Sequence, residues 1–186
     1  MKKVVLMVSL LILGCYSITA QDDMRFGAKA GFNISSLGGD ANLSYDPKAG
    51  FHVGGVLEIP FSDELMIQPE ALISLQGSGG FFQDDLNFWY LNVPVMAKYN
   101  VWDELYVEAG PYLGLLLSNN VDRNISGTGA SFDNTNGLDL GLGIGAGYRL
   151  DENFYFQIRY STGFINVIED VNSKNRVFAV SAVYFL

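Results

Sequence analysis

Between Leu138 and Leu150 every second residue is apolar: Leu138, Leu140, Leu142, Ile144, Ala146, Tyr148 and Leu150 alternate with Asp139, Gly141, Gly143, Gly145, Gly147 and Arg149. A helix repeats near 3.6 residues and a strand at 2, so this run reads as a strand with one greasy face. The same alternation appears from Arg25 to Ile34 (Phe26, Ala28, Ala30, Phe32 and Ile34 on the apolar side) and from Gly50 to Ile59 (Phe51, Val53, Leu57, Ile59). It returns in Leu65–Gln76, in Trp89–Tyr99 and in Leu105–Leu115. A seventh strand runs from Phe154 to Phe164, with Gln157, Arg159 and Ser161 on its polar side, and an eighth from Arg176 to Leu186. The expected class is all-β.

The connections alternate in length. Phe61-Ser-Asp-Glu-Leu65, Val101-Trp-Asp-Glu-Leu105 and Leu150-Asp-Glu-Asn-Phe154 each place two apolar residues around a three-residue acidic turn, as a short hairpin loop requires. In the middle hairpin, pairing 101 with 105 fixes the register and sets Lys98 opposite Glu108. The other four connections are longer and polar: about Ser35 to Lys48, Gly77 to Asn87, Ser118 to Gly137 and Ile165 to Asn175. Eight strands with short turns at one end and long loops at the other describe an antiparallel up-and-down transmembrane β-barrel of the bacterial outer membrane. The short turns would then be periplasmic and the long loops extracellular.

A soluble sandwich or lipocalin-like barrel shares the alternation, and charge placement separates them. The non-greasy face carries Lys29, Lys98, Arg149 and Arg159 against Glu58, Glu70, Glu108 and Asp139. Such balance is unnecessary on a solvated exterior but suits a closed interior, where an unpaired ion bears a large desolvation cost. These eight residues are therefore expected to form a structural charge network in the lumen. Gly141, Gly143, Gly145 and Gly147 would leave room there for Tyr106, Tyr112 and Tyr155. Phe61, Tyr99, Trp102, Tyr148 and Phe154 near the short turns, and Phe32, Phe51, Trp89 and Phe164 near the long loops, would form two interfacial girdles. Pro69, Pro94 and Pro111 fall inside strands, so bulges are expected at them.

The first twenty residues run Met-Lys-Lys, an apolar stretch from Val4 to Leu13, and Ser17-Ile-Thr-Ala20 before Gln21. This reads as a secretory signal peptide cleaved after Ala20, leaving residues 21–186 as the barrel domain. Cleavage removes two lysines and no acid, so a formal charge of −9 becomes −11. The alternative is lipidation of Cys15, since Ile12-Leu-Gly-Cys15 loosely resembles a lipobox.

Catalytic, cofactor and metal motifs do not emerge. With 20 acidic against 11 basic residues, the chain offers no basic surface for nucleic acid, and its one Cys builds neither a zinc nor a disulfide scaffold. The run Gly141–Gly147 fails as a dinucleotide loop, because Ala146 stands where G-x-G-x-x-G needs its last glycine and no helix follows. His52, the single histidine, reads as a lumen hydrogen-bonder, and Glu58 with Glu70 as structural acids neutralised by Lys29 or Arg159. Asp84, Asp85, Asp133, Glu169 and Asp170 offer at most loose Ca²⁺ contacts without EF-type spacing.

The segments Gly50-Phe-His-Val-Gly-Gly-Val-Leu-Glu-Ile-Pro60, Gln68-Pro-Glu70, Tyr90-Leu-Asn-Val-Pro-Val-Met-Ala-Lys-Tyr99, Glu108-Ala-Gly-Pro111 and Asn175-Arg-Val-Phe178 resemble the PorT-type outer-membrane β-barrel family of Bacteroidetes. The resemblance implies an eight-stranded barrel, often labelled a porin family, with no catalytic or ligand residues to carry over. Leu186 departs from the usual terminal aromatic, which bears on recognition by the barrel-assembly machinery. The expected function is a non-enzymatic barrel presenting four loops for an interaction or envelope role. An accessory part in secretion or gliding, or a narrow conduit for a small or apolar solute, is the alternative, with an outer-membrane enzyme last. Expected partners are outer-membrane lipid, the assembly machinery and envelope or secretion proteins meeting the loops.

Overall fold

A computed structural model describes residues 24–38, 46–80, 83–121, 137–166 and 174–186. Eight strands, β1 (Arg25–Gly38), β2 (Asp46–Pro60), β3 (Leu65–Gly80), β4 (Gln83–Trp102), β5 (Leu105–Val121), β6 (Leu138–Arg149), β7 (Phe154–Asn166) and β8 (Lys174–Phe185), follow in order around a closed barrel. Every neighbouring pair is antiparallel, and β8 returns to β1 with Phe185 opposite Gly27 and Lys174 opposite Gly38. Closure leaves no sheet edge to satisfy inside a membrane. No helix among the described residues is long and apolar enough to cross a membrane.

Period-2 patterning decides which face is which. Phe32, Val53, Ile73, Ile144, Ile158 and Val180 point outward and are exposed, while Lys29, Gln68, Lys98, Glu108 and Tyr155 point inward and are buried. The apolar belt is edged by aromatics: Trp102 is 74% exposed beside a short turn and Phe32 78% exposed toward the other end. Phe51 stacks edge-on against Trp89 at 5.8 Å, and Phe154 against Tyr184 at 5.1 Å. The signal-peptide segment and Cys15 lie outside the described residues.

The structure corrects three expectations. First, the connection expected over Gly77–Asn87 is mostly strand: the ladder continues through Gln76↔Phe88, Gly77↔Asn87 and Ser78↔Leu86 to Gly80↔Gln83. Polar rungs beyond the greasy belt still form backbone hydrogen bonds, so the end of hydrophobic alternation marks the end of the belt and not of the strand. The other three long connections shorten similarly, since β1 reaches Gly38, β5 reaches Val121 and β8 begins at Lys174.

Second, no bulge sits at Pro69, Pro94 or Pro111. Around Pro69 the β3–β4 ladder goes from Pro69↔Val95 to Leu72↔Asn92 in unchanged register, and β4–β5 goes from Pro94↔Tyr112 to Ala97↔Ala109. Pro111 keeps its place opposite Leu142. A missing N–H removes a rung locally, whereas an inserted residue would turn the following side chains to the wrong face, so omission is the cheaper solution. Register shifts fall elsewhere, between Trp89 and Tyr90 and between Asn100 and Trp102.

Third, the middle short turn is tighter than expected. Trp102 pairs with Leu105, leaving Asp103 and Glu104 to turn, and Asp103 takes a positive φ of 39°. Asn100 Nδ2 donates to the Asp103 carbonyl at 2.6 Å and holds that conformation. In the last turn the Asp151 carboxylate accepts from the Asn153 and Phe154 backbone amides at 2.9 and 2.6 Å.

Candidate functional site

The lumen is where the chain's polar chemistry is concentrated, and it is layered. Nearest the short turns lies an apolar plug of Val56, Tyr106, Tyr155, Val183 and Phe185, with Met66 packed against it. Tyr106 and Tyr155 meet edge to face at 5.9 Å. Lys98 sets its ammonium 3.8 Å from the Tyr155 ring centroid, a cation–π contact that joins the plug to the charged layer above it.

That charged layer divides into two clusters. Glu58 accepts from Lys98 Nζ at 2.6 Å and from Arg149 at 2.8 Å, with Arg25 at 3.7 Å. Glu70 accepts from Lys29 Nζ at 2.9 Å and from Arg159 at 2.7 and 3.0 Å, and Arg159 Nε donates to Glu108 at 2.6 Å. Gln68 links the clusters, accepting from Lys98 at 2.9 Å and donating to Glu70 at 2.6 Å. Gln157 donates to Glu108 at 2.6 Å. Charge-assisted bonds of this length offset part of the several kcal/mol that each buried ion loses in desolvation.

All eight sequence-selected charges therefore lie on the lumen side; Glu70 is held by Lys29 and Arg159 as expected, but Glu58 takes other partners. Glu58 is neutralised by Lys98 and Arg149, not by Lys29 or Arg159. Asp139 joins neither cluster: it accepts from Tyr112 Oη at 3.0 Å and Asn175 Nδ2 at 3.3 Å, and its other oxygen has no partner among the described residues. Gln68, Gln157 and Arg25 were not among the expected network residues, although their position on the inward face is the same signal that located the charges. Of the four glycines, Gly141 and Gly147 make room for Tyr112 and Tyr155, whereas Gly145 accommodates Glu108 and Gly143 lies beside Ser161 and Arg159.

Above the ion clusters the lining is uncharged apart from Asp139. Asn33 donates to Ser74 at 3.0 Å, Gln76 donates to Ser74 at 3.0 Å, and Asn175 donates to Gln76 at 2.6 Å. These groups surround a small, partly open cavity of about 60 Å³, floored by Lys29 and Arg159. His52 faces it and shares a 2.8 Å hydrogen bond between Nε2 and Ser181 Oγ. Among the described residues no carboxylate completes a triad on that histidine, and no group of three or more His, Cys, Asp or Glu is arranged to hold a metal. Asp84 and Asp85 fall within β4, while Asp133, Glu169 and Asp170 lie outside the described residues.

A closed eight-stranded wall, greasy outside and ion-paired inside, is matched at the sequence level: residues 19–169 fit the family model described as "Outer membrane protein beta-barrel domain". The chain belongs to that family. Its members' location makes this an outer-membrane protein. Among solved structures, the barrel is similar to Neisserial surface protein A, at 13% identity and a TM-score of 0.61, covering 88% of this chain and 99% of that one. It is also similar to Ail, the attachment invasion locus protein of Yersinia pestis, at 15% identity and a TM-score of 0.53, again covering 88% of this chain and 99% of the other. At those identities the likeness concerns the fold. No curated protein matches the sequence.

Proposed function

We propose that this outer-membrane barrel is non-enzymatic and acts through the segments that its wall holds at the cell surface, in an interaction or envelope-integrity role. The carrying observation is the filled lumen: ion pairs at Glu58, Glu70 and Glu108 lie over an aromatic plug at Tyr106 and Tyr155. An eight-stranded interior filled by side chains leaves no continuous water path, so specificity falls to the connections around 39–45, 122–136 and 167–173. The partners are outer-membrane lipid along the belt, the assembly machinery during insertion, and envelope or secretion proteins at the connections.

Exchanging 122–136 and 167–173 for short turns tests this reading. The shortened barrel should still fold, shown by altered gel migration before and after boiling, yet fail to complement a deletion strain. Sustained single-channel steps from the wild-type protein in planar bilayers would overturn it. A second reading, a PorT-like accessory to secretion or gliding, is favoured by the resemblance across Gly50–Pro60 and Tyr90–Tyr99. It requires that deletion deplete secreted proteins from the medium.

A further inference from the structure

Cations are scarce on the outside of this barrel. Arg25, Lys29, Lys98, Arg149 and Arg159 turn into the lumen, and Lys48 pairs in register with the inward-facing Ser35. Among the described residues, Lys174 and Arg176 are the two cations on the outward face of the wall, both exposed on β8. Neither has an ion-pair or hydrogen-bond partner among the described residues. Their neighbours are set by register. Arg176 lies between Thr162 of β7 and Ser36 of β1, both on the same outward face. One rung toward the short turns, Phe178 lies between Tyr160 and Ile34, all three exposed and apolar or aromatic. One rung the other way, Lys174 lies between Asn166 and Gly38.

The wall therefore changes within a single rung from a lipid-facing apolar row to a row with a guanidinium flanked by two hydroxyls, and then to an ammonium. Neighbouring strands stand about 4.8 Å apart and same-face residues about 6.7 Å apart along a strand, so these four donors surround a patch of about 10 Å by 7 Å into which one phosphate with its ester oxygens fits. The exposed acids of the short turns, Asp63, Glu64, Asp103, Glu104, Asp151 and Glu152, sit at the opposite end of the barrel.

We propose that Arg176 and Lys174, flanked by Ser36 and Thr162, dock the phosphate of an anionic lipid headgroup in the leaflet at the long-connection end. The apolar row of Tyr160, Phe178 and Ile34 directly below supplies the acyl-chain contact that a free anion lacks. It also holds the headgroup at the level of the cations, raising its effective concentration there. Arg presents a fork to phosphate oxygens and Lys a point charge, a pairing suited to a tethered anion.

The test is native mass spectrometry of the purified protein in zwitterionic detergent, titrated with phosphatidylglycerol or with phosphatidylcholine of the same acyl chains. Wild type should retain phosphatidylglycerol preferentially, and the double variant Arg176→Gln/Lys174→Gln should lose about 25-fold of that retention, since each basic residue at a lipid surface contributes roughly fivefold. The charge-keeping variant Arg176→Lys/Lys174→Arg should retain the lipid, which separates charge from any folding defect. Equal retention of the two lipids by wild type, unchanged retention in the Gln variant, or displacement by inorganic phosphate at matching concentration would each overturn the proposal.

Discussion

Lys98 and Glu108 face each other across β4 and β5, yet each makes its ion pair with a third residue. Lys98 reaches Glu58 on β2 at 2.6 Å, and Glu108 reaches Arg159 on β7 at 2.6 Å. Lumen side chains extend across the barrel axis, so the shortest path between opposite charges is not the cross-strand one. Substituting Lys98→Glu should destabilise the barrel by more than about 3 kcal/mol, because it leaves Glu58 facing a like charge in a desolvated interior. Neither Glu58→Lys nor Glu108→Lys should fully restore it, because the first sets a cation against Arg149 and the second sets one against Arg159. Double-mutant cycles in urea with Gln substitutions should give a coupling above about 1 kcal/mol for 98 with 58 and under about 0.5 kcal/mol for 98 with 108. The reverse ranking would show that the pairing follows the register.

Glycine is required where backbones approach. An added Cβ at Gly54 would fall on the Ala71 carbonyl oxygen, and one at Gly110 on the Val95 carbonyl oxygen, both backbone atoms fixed by the sheet. At the outward-facing Gly55 the nearest atom would be 3.9 Å away. Gly54→Ala and Gly110→Ala should each lower stability by about 1–3 kcal/mol through forced backbone movement. Gly55→Ala should stay within about 0.5 kcal/mol, as a surface change without a clash does. Urea unfolding in detergent, read by tryptophan fluorescence, measures all three.

What the sequence made legible follows from which interactions are local. Parity along a strand is local, so the inward Glu70 and outward Ile73 were both readable, and one hairpin turn was enough to set Lys98 opposite Glu108. The partner of a lumen charge is not local: Arg159 and Glu70 are 89 residues apart, and their meeting depends on barrel closure. Strand ends were obscured because Gln76, Ser78 and Asn87 are as polar as loop residues while still sitting in the ladder. Ser181 as the partner of His52 was hidden for the closure reason too, lying 129 residues away.

Orientation is testable from outside the cell. Asp103 lies in a short turn and Asn134 in the connection between β5 and β6. Antiparallel barrels of the outer membrane keep their short turns in the periplasm. An epitope inserted after Asn134 should bind antibody on intact cells, while one at Asp103 should bind only after the outer membrane is permeabilised. Labelling at Asp103 alone on intact cells would invert the barrel.

Asp139 differs from the other lumen acids because no cation among the described residues pairs with it. It is buried, with a tyrosine hydroxyl and an amide as its contacts and one oxygen unpartnered among the described residues. Asparagine keeps the acceptor that Tyr112 uses and removes any charge, so Asp139→Asn should leave stability unchanged or raise it by up to about 1 kcal/mol. Glu70→Gln removes the acid that Lys29 and Arg159 both hold, stranding the buried Lys29 and leaving Arg159 with Glu108 alone, and should cost about 3 kcal/mol or more. Parallel unfolding curves check the contrast directly. A loss at Asp139→Asn as large as that at Glu70→Gln would mean that Asp139 balances a cation beyond the described residues, and that the lumen network extends into the connections above it.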